Sequence, residues 1–354
     1  MTGEIDPNLA RLMDVLAEAG VSDDELQSAS AAGSDALART VARHLTFPGR
    51  RDRTTAQVWD EAGVEEPVAR ALWRAMGFPE VADATPAFTR ADVVALTSAV
   101  ELFQRAQMDM SVALQQTRAM SQAMMRIAAA HQEVIPLAGP ETGSVESAME
   151  AVQLADDTLP ALEHLLVYLY RRHLAAATEQ RFATTSVSRG AAAATVGFAD
   201  LAGFTSATAL LDVDELAAMV ERFNTVTAGV IVEAGGRVIK TIGDEVMFAT
   251  RDPVAGVVAG LDLLDEISPA TGFPPLRVAL ATGEVLAREG DLFGTTVNLA
   301  SRLVTVARRD SLLIDAGTRS AVGSDARFRL TPIAPRRVKG LGTVDAWRVR
   351  QATA

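Results

Sequence analysis

Two aspartates and a lysine stand where chemistry could be done. Asp200 ends the apolar run ATVGFAD, and Asp244 sits inside RVIKTIGDEVMFAT, four residues after Lys240. An aspartate at the end of a strand or in a hairpin turn is held by a rigid support and presented to solvent. Two carboxylates so placed can share divalent cations, since Mg²⁺ takes one or two carboxylates and completes its shell with substrate phosphates. The loop after Asp200, Leu201-Ala202-Gly203-Phe204-Thr205, offers backbone N–H groups to anionic oxygens, with Gly203 permitting close approach. The parts together describe an acceptor for a metal-bound polyphosphate, although a lone aspartate after a strand is more often a turn or cap residue.

The lysine stands out by its rarity. Lys240 and Lys339 are the two lysines among 33 basic residues, the rest being arginine. A solvated strand position would accept either cation. A compact ammonium suits a single-point donor, a geometry that a wide guanidinium fork fits poorly.

The elements that must position these residues can be read from pattern. ATVGFAD is a short buried strand. DVDELAAMVERFNTVTAGVIVEAGG is a helix, with Asp212 and Glu215 forming a capping box and Gly235-Gly236 stopping it. RVIKTIGDEVMFAT is two strands around a turn at Gly243-Asp244. A helix over DPVAGVVAGLDLLDEI, strand-rich LRVALATGEVLARE, a helix over TTVNLASRLVTVA and the strand SLLIDA complete a mixed α/β sheet domain. Residues 1 to about 175 read instead as helical, with loops at TFPGRRDRT, GFPEVADATPAFT and PLAGPETGSVES. The expected division is an all-α domain over 1–180, a linker over 181–194 and the α/β domain over 195–354.

In order and spacing, FADLAGFT, IKTIGDEVMF, ATGEVLAREGDLFGTTVNLASR and VKGLG resemble the catalytic domain of class III nucleotidyl cyclases, over about Thr195 to Val349. The resemblance implies a ferredoxin-like core and an adenylyl cyclase making cyclic AMP from ATP with two Mg²⁺ or Mn²⁺ ions per site. Asp200 and Asp244 match the metal-binding aspartates, with the Leu201 carbonyl as a further ligand. Lys240 matches a donor to adenine N1, and Asp291 an acceptor from the exocyclic amine. That polarity suits adenine and mispairs with guanine. Asn298 matches the residue that positions the ribose. Arg302 matches the one that stabilises charge on the transferring phosphoryl group. Lys339 matches a binder of the β- and γ-phosphates, while Gly203, Phe204 and Thr205 line the phosphate loop. The metal aspartates of one subunit face the other set on its partner in this family, which implies a head-to-tail homodimer. The other readings are a guanylyl or mixed-specificity cyclase and an idle nucleotide-binding sensor. A GGDEF-type diguanylate cyclase is remote, because Ile242-Gly243-Asp244-Glu245-Val246 lacks the first glycine and the final phenylalanine of that signature.

Composition narrows the rest. At 354 residues the chain exceeds what one core usually serves, and its net charge of −12 is uneven. Residues 1–189 carry 16 Lys/Arg against 26 Asp/Glu, which weighs against nucleic-acid binding by that half. The absence of cysteine excludes disulfides and thiolate metal sites. An acidic, amphipathic start and the lack of any long apolar run predict a cytoplasmic protein without a membrane span.

TTAQVWDEAGVEEPVARALWRAMGFP resembles a MerR-type helix-turn-helix, but Glu65 and Glu66 stand where phosphate contacts would be needed, so a reused packing motif is expected. The half as a whole resembles the helical regulatory domain of soluble mycobacterial adenylyl cyclases, some of which respond to pH and fatty acids. That resemblance makes a fatty acid or other lipid a candidate ligand. All four histidines lie in this half. His164 and His173, in its last helix, are the candidate pH-responsive residues.

Overall fold

The computed structural model describes residues 14, 16–17, 20–32, 34–134, 145–182, 191–204, 211–338 and 342–352; Thr205 and Lys339 lie outside them. The chain divides into two compact units, Met1–Ala183 and Thr184–Ala354.

The first unit is built of helices: α1 (Asp23–Ala31), α2 (Ser34–Thr46), α3 (Thr55–Ala62), α4 (Glu66–Ala75), α5 (Arg90–Arg105), α6 (Met110–Val134) and α7 (Val145–Phe182). Thr54 and Gln57 form a capping box at the start of α3, and Gly63 ends it in the left-handed conformation. The α3–α4 pair therefore has the turn expected of the helix-turn-helix pattern. Its apolar faces are spent on packing: Val58, Trp59, Ala69 and Leu72 are buried with Phe88, Leu96 and Phe103. No helix among the described residues is long and apolar enough to cross a membrane.

His44 on α2 is the buried histidine of this unit, 1% exposed, with its Nε2 3.5 Å from Glu25 Oε1 and from Arg51 Nη1. Its Nδ1 has no partner. Burial holds its pKa below the ordinary value; Glu25 opposes the shift, while Arg51 and Arg43 add to it. His164 and His173 on α7 are exposed, His164 Nδ1 lying 3.2 Å from the Pro160 carbonyl.

The second unit runs β1 (Ala191–Leu201), α8 (Val213–Glu233), β2 (Arg237–Ile242), β3 (Glu245–Thr250), α9 (Pro253–Glu266), β4 (Leu276–Arg288), β5 (Asp291–Phe293), α10 (Thr295–Val306), β6 (Ser311–Ile314), α11 (Ala316–Val322), β7 (Phe328–Pro332), β8 (Arg336–Val338), β9 (Gly342–Val344) and β10 (Trp347–Gln351). Both α7 and β1 reach into the 181–194 segment read as a linker. The sheet order is β2-β3-β1-β4-β6-β10-β7, with β5 paired to β4 and a separate β8–β9 hairpin. Its first four strands, with α8 and α9, form the β-α-β-β-α-β ferredoxin-like core. Only β4 and β6 pair in parallel; the other pairings are antiparallel.

The sheet is buried on both faces. One face packs Ala199, Val246, Phe248 and Val278 against Phe223 and Ile231 of α8 and Val257 of α9. The other packs Val196, Phe198, Met247 and Ala279 against Ala300, Leu303 and Val304 of α10.

Two predictions follow from this packing. A Cβ on Gly197 would lie 2.2 Å from the Phe248 ring, and Phe248 is fully buried. Gly197→Ala is expected to destabilise the second unit by about 2–3 kcal/mol, read from its denaturation midpoint. For His44 the folded pKa is depressed, so its stabilisation is complete above about pH 6.5 and is lost as pH falls below that value. Hydrogen exchange in α1 and α2 should accelerate on acidification, and His44→Gln should flatten that dependence.

Candidate active site

The hairpin that carries Lys240 and Asp244 is irregular in a way that decides where the lysine goes. Ile242 pairs with Glu245 around the two-residue turn Gly243-Asp244, where Gly243 takes a φ of 63°. Lys240 then pairs with Met247, but Val238 pairs with Phe248, leaving Ile239 as the extra residue of a β-bulge. Without the bulge, Val238 opposite Phe248 would set Lys240 opposite Val246, on the α8–α9 face. The bulge moves it to the Met247 face, which is the α10 face of the sheet. There its Nζ lies 2.5 Å from Asp291 Oδ2. Asp291 opens β5, and its other carboxylate oxygen accepts the Leu292 N–H at 2.7 Å. Two residues 51 positions apart in sequence are thereby held side by side as a donor and an acceptor.

The two aspartates meet at the end of β1. Asp200 pairs in register with Glu245 on one side and Arg277 on the other, so all three side chains share the α10 face. The Leu201 N–H donates to the Asp244 carbonyl at 3.2 Å, fixing the hairpin tip against the strand end. Burial and repulsion from Asp244 raise the Asp200 pKa, and Arg277, 3.7 Å away, opposes the rise. Glu245 is pushed up to about 7 by burial, with Asp200 and Asp244 adding to it. Glu245 sits inside the sheet, because β3 is flanked on both sides by strands.

This cluster fits a divalent cation bound jointly with substrate. Its carboxylates repel one another in a half-buried place, and a cation relieves that repulsion. Among the described residues no three carboxylates or imidazoles form a complete metal cage. Asp200, Asp244 and the Leu201 carbonyl are hard oxygen donors of the type Mg²⁺ favours, too few to complete its shell without water or phosphate oxygens. Gly203 follows with a φ of +85°, and the Arg309 Nη2 stands 3.8 Å from where a Cβ on Gly203 would lie. Phe204 packs on the α8–α9 core and anchors the loop.

Asn298 and Arg302 occupy one side of α10, both exposed, while Thr296, Ala300, Leu303 and Val304 bury the other side. They point away from the sheet that carries Asp200. No hydrogen bond or ion pair joins Asp200 or Asp244 to Lys240, Asp291, Asn298 or Arg302. The structure therefore brings together Asp200 with Asp244 and Lys240 with Asp291, and it does not unite the two groups. Arg277 and Arg309 were not singled out from sequence, and Glu245 reads there as a strand-edge charge; only the strand register and the α10–β6 turn reveal their place.

The second unit matches the sequence profile of the adenylate and guanylate cyclase catalytic domain over residues 187–351. An adenylate cyclase of Streptomyces coelicolor is 35% identical over 349 residues, which cover 89% of this chain and 90% of that one. The chain belongs to the adenylate and guanylate cyclase family. An adenylate cyclase of Streptomyces griseus is 37% identical over 276 residues, 77% of this chain and 68% of that protein. A pH-sensitive adenylate cyclase of Mycobacterium tuberculosis is 27% identical over 360 residues, 97% of this chain and 88% of that protein. The similarity to these cyclases spans the helical unit as well as the catalytic one.

The Lys240–Asp291 pair is 37% and 27% exposed, so solvent screening limits its contribution to stability to about 1 kcal/mol or less. Lys240→Met is expected to fold with a denaturation midpoint close to that of the parent. A large loss of stability would mark the pair as structural.

Proposed function

We propose that the chain is an adenylyl cyclase, converting ATP to 3′,5′-cyclic AMP and pyrophosphate at sites shared by two copies of the chain in a head-to-tail dimer. The observation that carries this reading is the Lys240–Asp291 contact. It sets a donor beside an acceptor, the complement of adenine N1 and its exocyclic amine. The ammonium has three protons, so one given to Asp291 leaves others for the base.

The remaining roles are those the sequence resemblance assigns. Asn298 directs its amide to the ribose, and Arg302, four residues on, spreads its fixed charge over the transferring phosphoryl oxygens. The sequence resemblance assigns Lys339 and Thr205, which lie outside the described residues, to the β- and γ-phosphates, with the backbone of Gly203 and Phe204 supplying N–H donors. Arg277 has a buried Nε without a partner and faces the same place. Its guanidinium neutralises Asp200 before substrate arrives and meets phosphate oxygens afterwards. Asp200, Asp244 and the Leu201 carbonyl would hold two Mg²⁺ or Mn²⁺ ions. When bound, such ions lower the pKa of the ribose 3′-OH and neutralise the triphosphate. The 3′-oxygen then attacks the α-phosphorus in line and pyrophosphate leaves.

The helical unit acts as the regulatory half. His164 and His173, exposed on the helix that leads toward β1, are its candidate pH-responsive groups, and a fatty acid or other lipid is its candidate ligand. The reading places the enzyme in the cytoplasm.

Purified protein given ATP with Mg²⁺ or Mn²⁺ should release cyclic AMP and turn over GTP far less well; no cyclic AMP at any pH or with either metal would overturn the reading. Lys240→Glu should lower kcat/KM for ATP on the order of 100-fold and abolish the preference over GTP. A variant that keeps the preference would remove Lys240 from base recognition. His164→Gln with His173→Gln should flatten the pH profile of cyclic AMP formation, and an unchanged profile would acquit both residues.

A further inference from the structure

A second cationic site lies on the α10 face of the sheet, on the side of Arg277 away from Asp200. Arg348 sits on β10, an interior strand between β6 and β7. In register with Leu313 and Thr331, it stands in the middle of that face. Most sheet positions on this face are apolar, and an arginine there needs a reason. Its Nε is buried and has no hydrogen-bond partner.

A cleft of about 260 Å³ opens beside it, lined by Arg348, Arg308, Ser311, Thr331, Val306 and Ile333 among others. The Ser311 hydroxyl donates to the Arg308 carbonyl at 2.6 Å, which fixes the turn that carries the second guanidinium. Every Asp and Glu of residues 184–354 is among the described residues. Among the described residues, the ion pairs of this unit join Lys240 to Asp291, Arg277 to Asp200 and Arg327 to Asp325. Neither Arg348 nor Arg308 takes part in them, so neither cation at the cleft is ion-paired to an Asp or Glu of the described residues of this unit.

We infer that this cleft binds a small oxyanion, with a carboxylate or phosphate head against Arg348 and Arg308 and an apolar body over Val306 and Ile333. A planar guanidinium with a free, desolvated N–H is the strongest receptor for such a head that a side chain can offer. The Thr331 hydroxyl adds a donor on the neighbouring strand. An occupant would bridge the end of α10, which carries Asn298 and Arg302, to the segment leading into β8. The site adjoins the metal cluster, since Ser311 pairs in register with Arg277, but its two guanidiniums lie on other elements and the argument rests on the fold, independently of the nucleotide assignment.

The test is thermal unfolding of the full-length protein in rising inorganic phosphate or butyrate, against sodium chloride at matched ionic strength. The expected result is a saturable rise in the Tm of the second unit with at least one anion. Arg348→Met should need at least about tenfold more anion for the same shift, while Arg302→Ala keeps the parent response. A response to phosphate alone assigns a phosphate head, and a response to butyrate alone assigns a carboxylate. Should Arg348→Met fail to fold, Arg308→Ala gives the same reading from the rim. No saturable shift beyond chloride overturns the site. So does a shift that Arg302→Ala removes and Arg348→Met keeps, which would place the anion in the catalytic cleft.

Discussion

The architecture of the second unit depends on β1. This strand is paired along both edges, with β3 and β4, and buried on both faces. Gly197 at its middle admits the Phe248 ring where any side chain would collide. A strand so enclosed cannot shift or tilt. Asp200 at its end is therefore fixed relative to Glu245 and Arg277, and the tie from the Leu201 N–H to the Asp244 carbonyl brings the second aspartate into the same rigid frame. Electrostatics then give that frame its chemistry. Carboxylates that cannot move apart and are partly stripped of water hold a repulsion that a divalent cation would relieve.

A different constraint governs the other group of residues. α10 must bury Ala300, Leu303 and Val304 against the sheet, so the 3.6-residue repeat turns Asn298 and Arg302 outward. The bulge at Ile239 places Lys240 beside Asp291, just before the helix that carries Asn298. One chain thus holds the proposed metal-binding group and the proposed nucleotide-reading group with no hydrogen bond or ion pair between them. A second copy, presenting its own exposed α10 face, is the simplest source of the missing half. On the proposed reading, packing of the core makes the active site a property of the pair.

Much of this was legible in the chain itself. The strand end at Asp200, the turn at Gly243-Asp244 and the capping box of Asp212 and Glu215 are local patterns, and local patterns survive folding. The β-bulge was not legible, because Ile239 and Lys240 read as ordinary alternating strand residues until the pairing partner is known. Arg277 was hidden for the same reason: its meaning comes from lying opposite Asp200, a register separated by 77 positions. Among the histidines, position along the chain favoured His164 and His173, whereas burial and a carboxylate neighbour single out His44. That distinction depends on helix packing, which a one-dimensional pattern does not carry.

The central claim is that each catalytic site needs residues from two chains, and mixing two inactive variants tests it most directly. Asp200→Ala removes the metal side and Arg302→Ala the phosphoryl side, so neither variant alone should make cyclic AMP. Co-refolded in equal amounts, half of the dimers carry one intact site of two, and roughly a quarter of the parent activity should return. Two inactive variants that stay inactive when mixed, or a parent monomer that is fully active, would contradict the account.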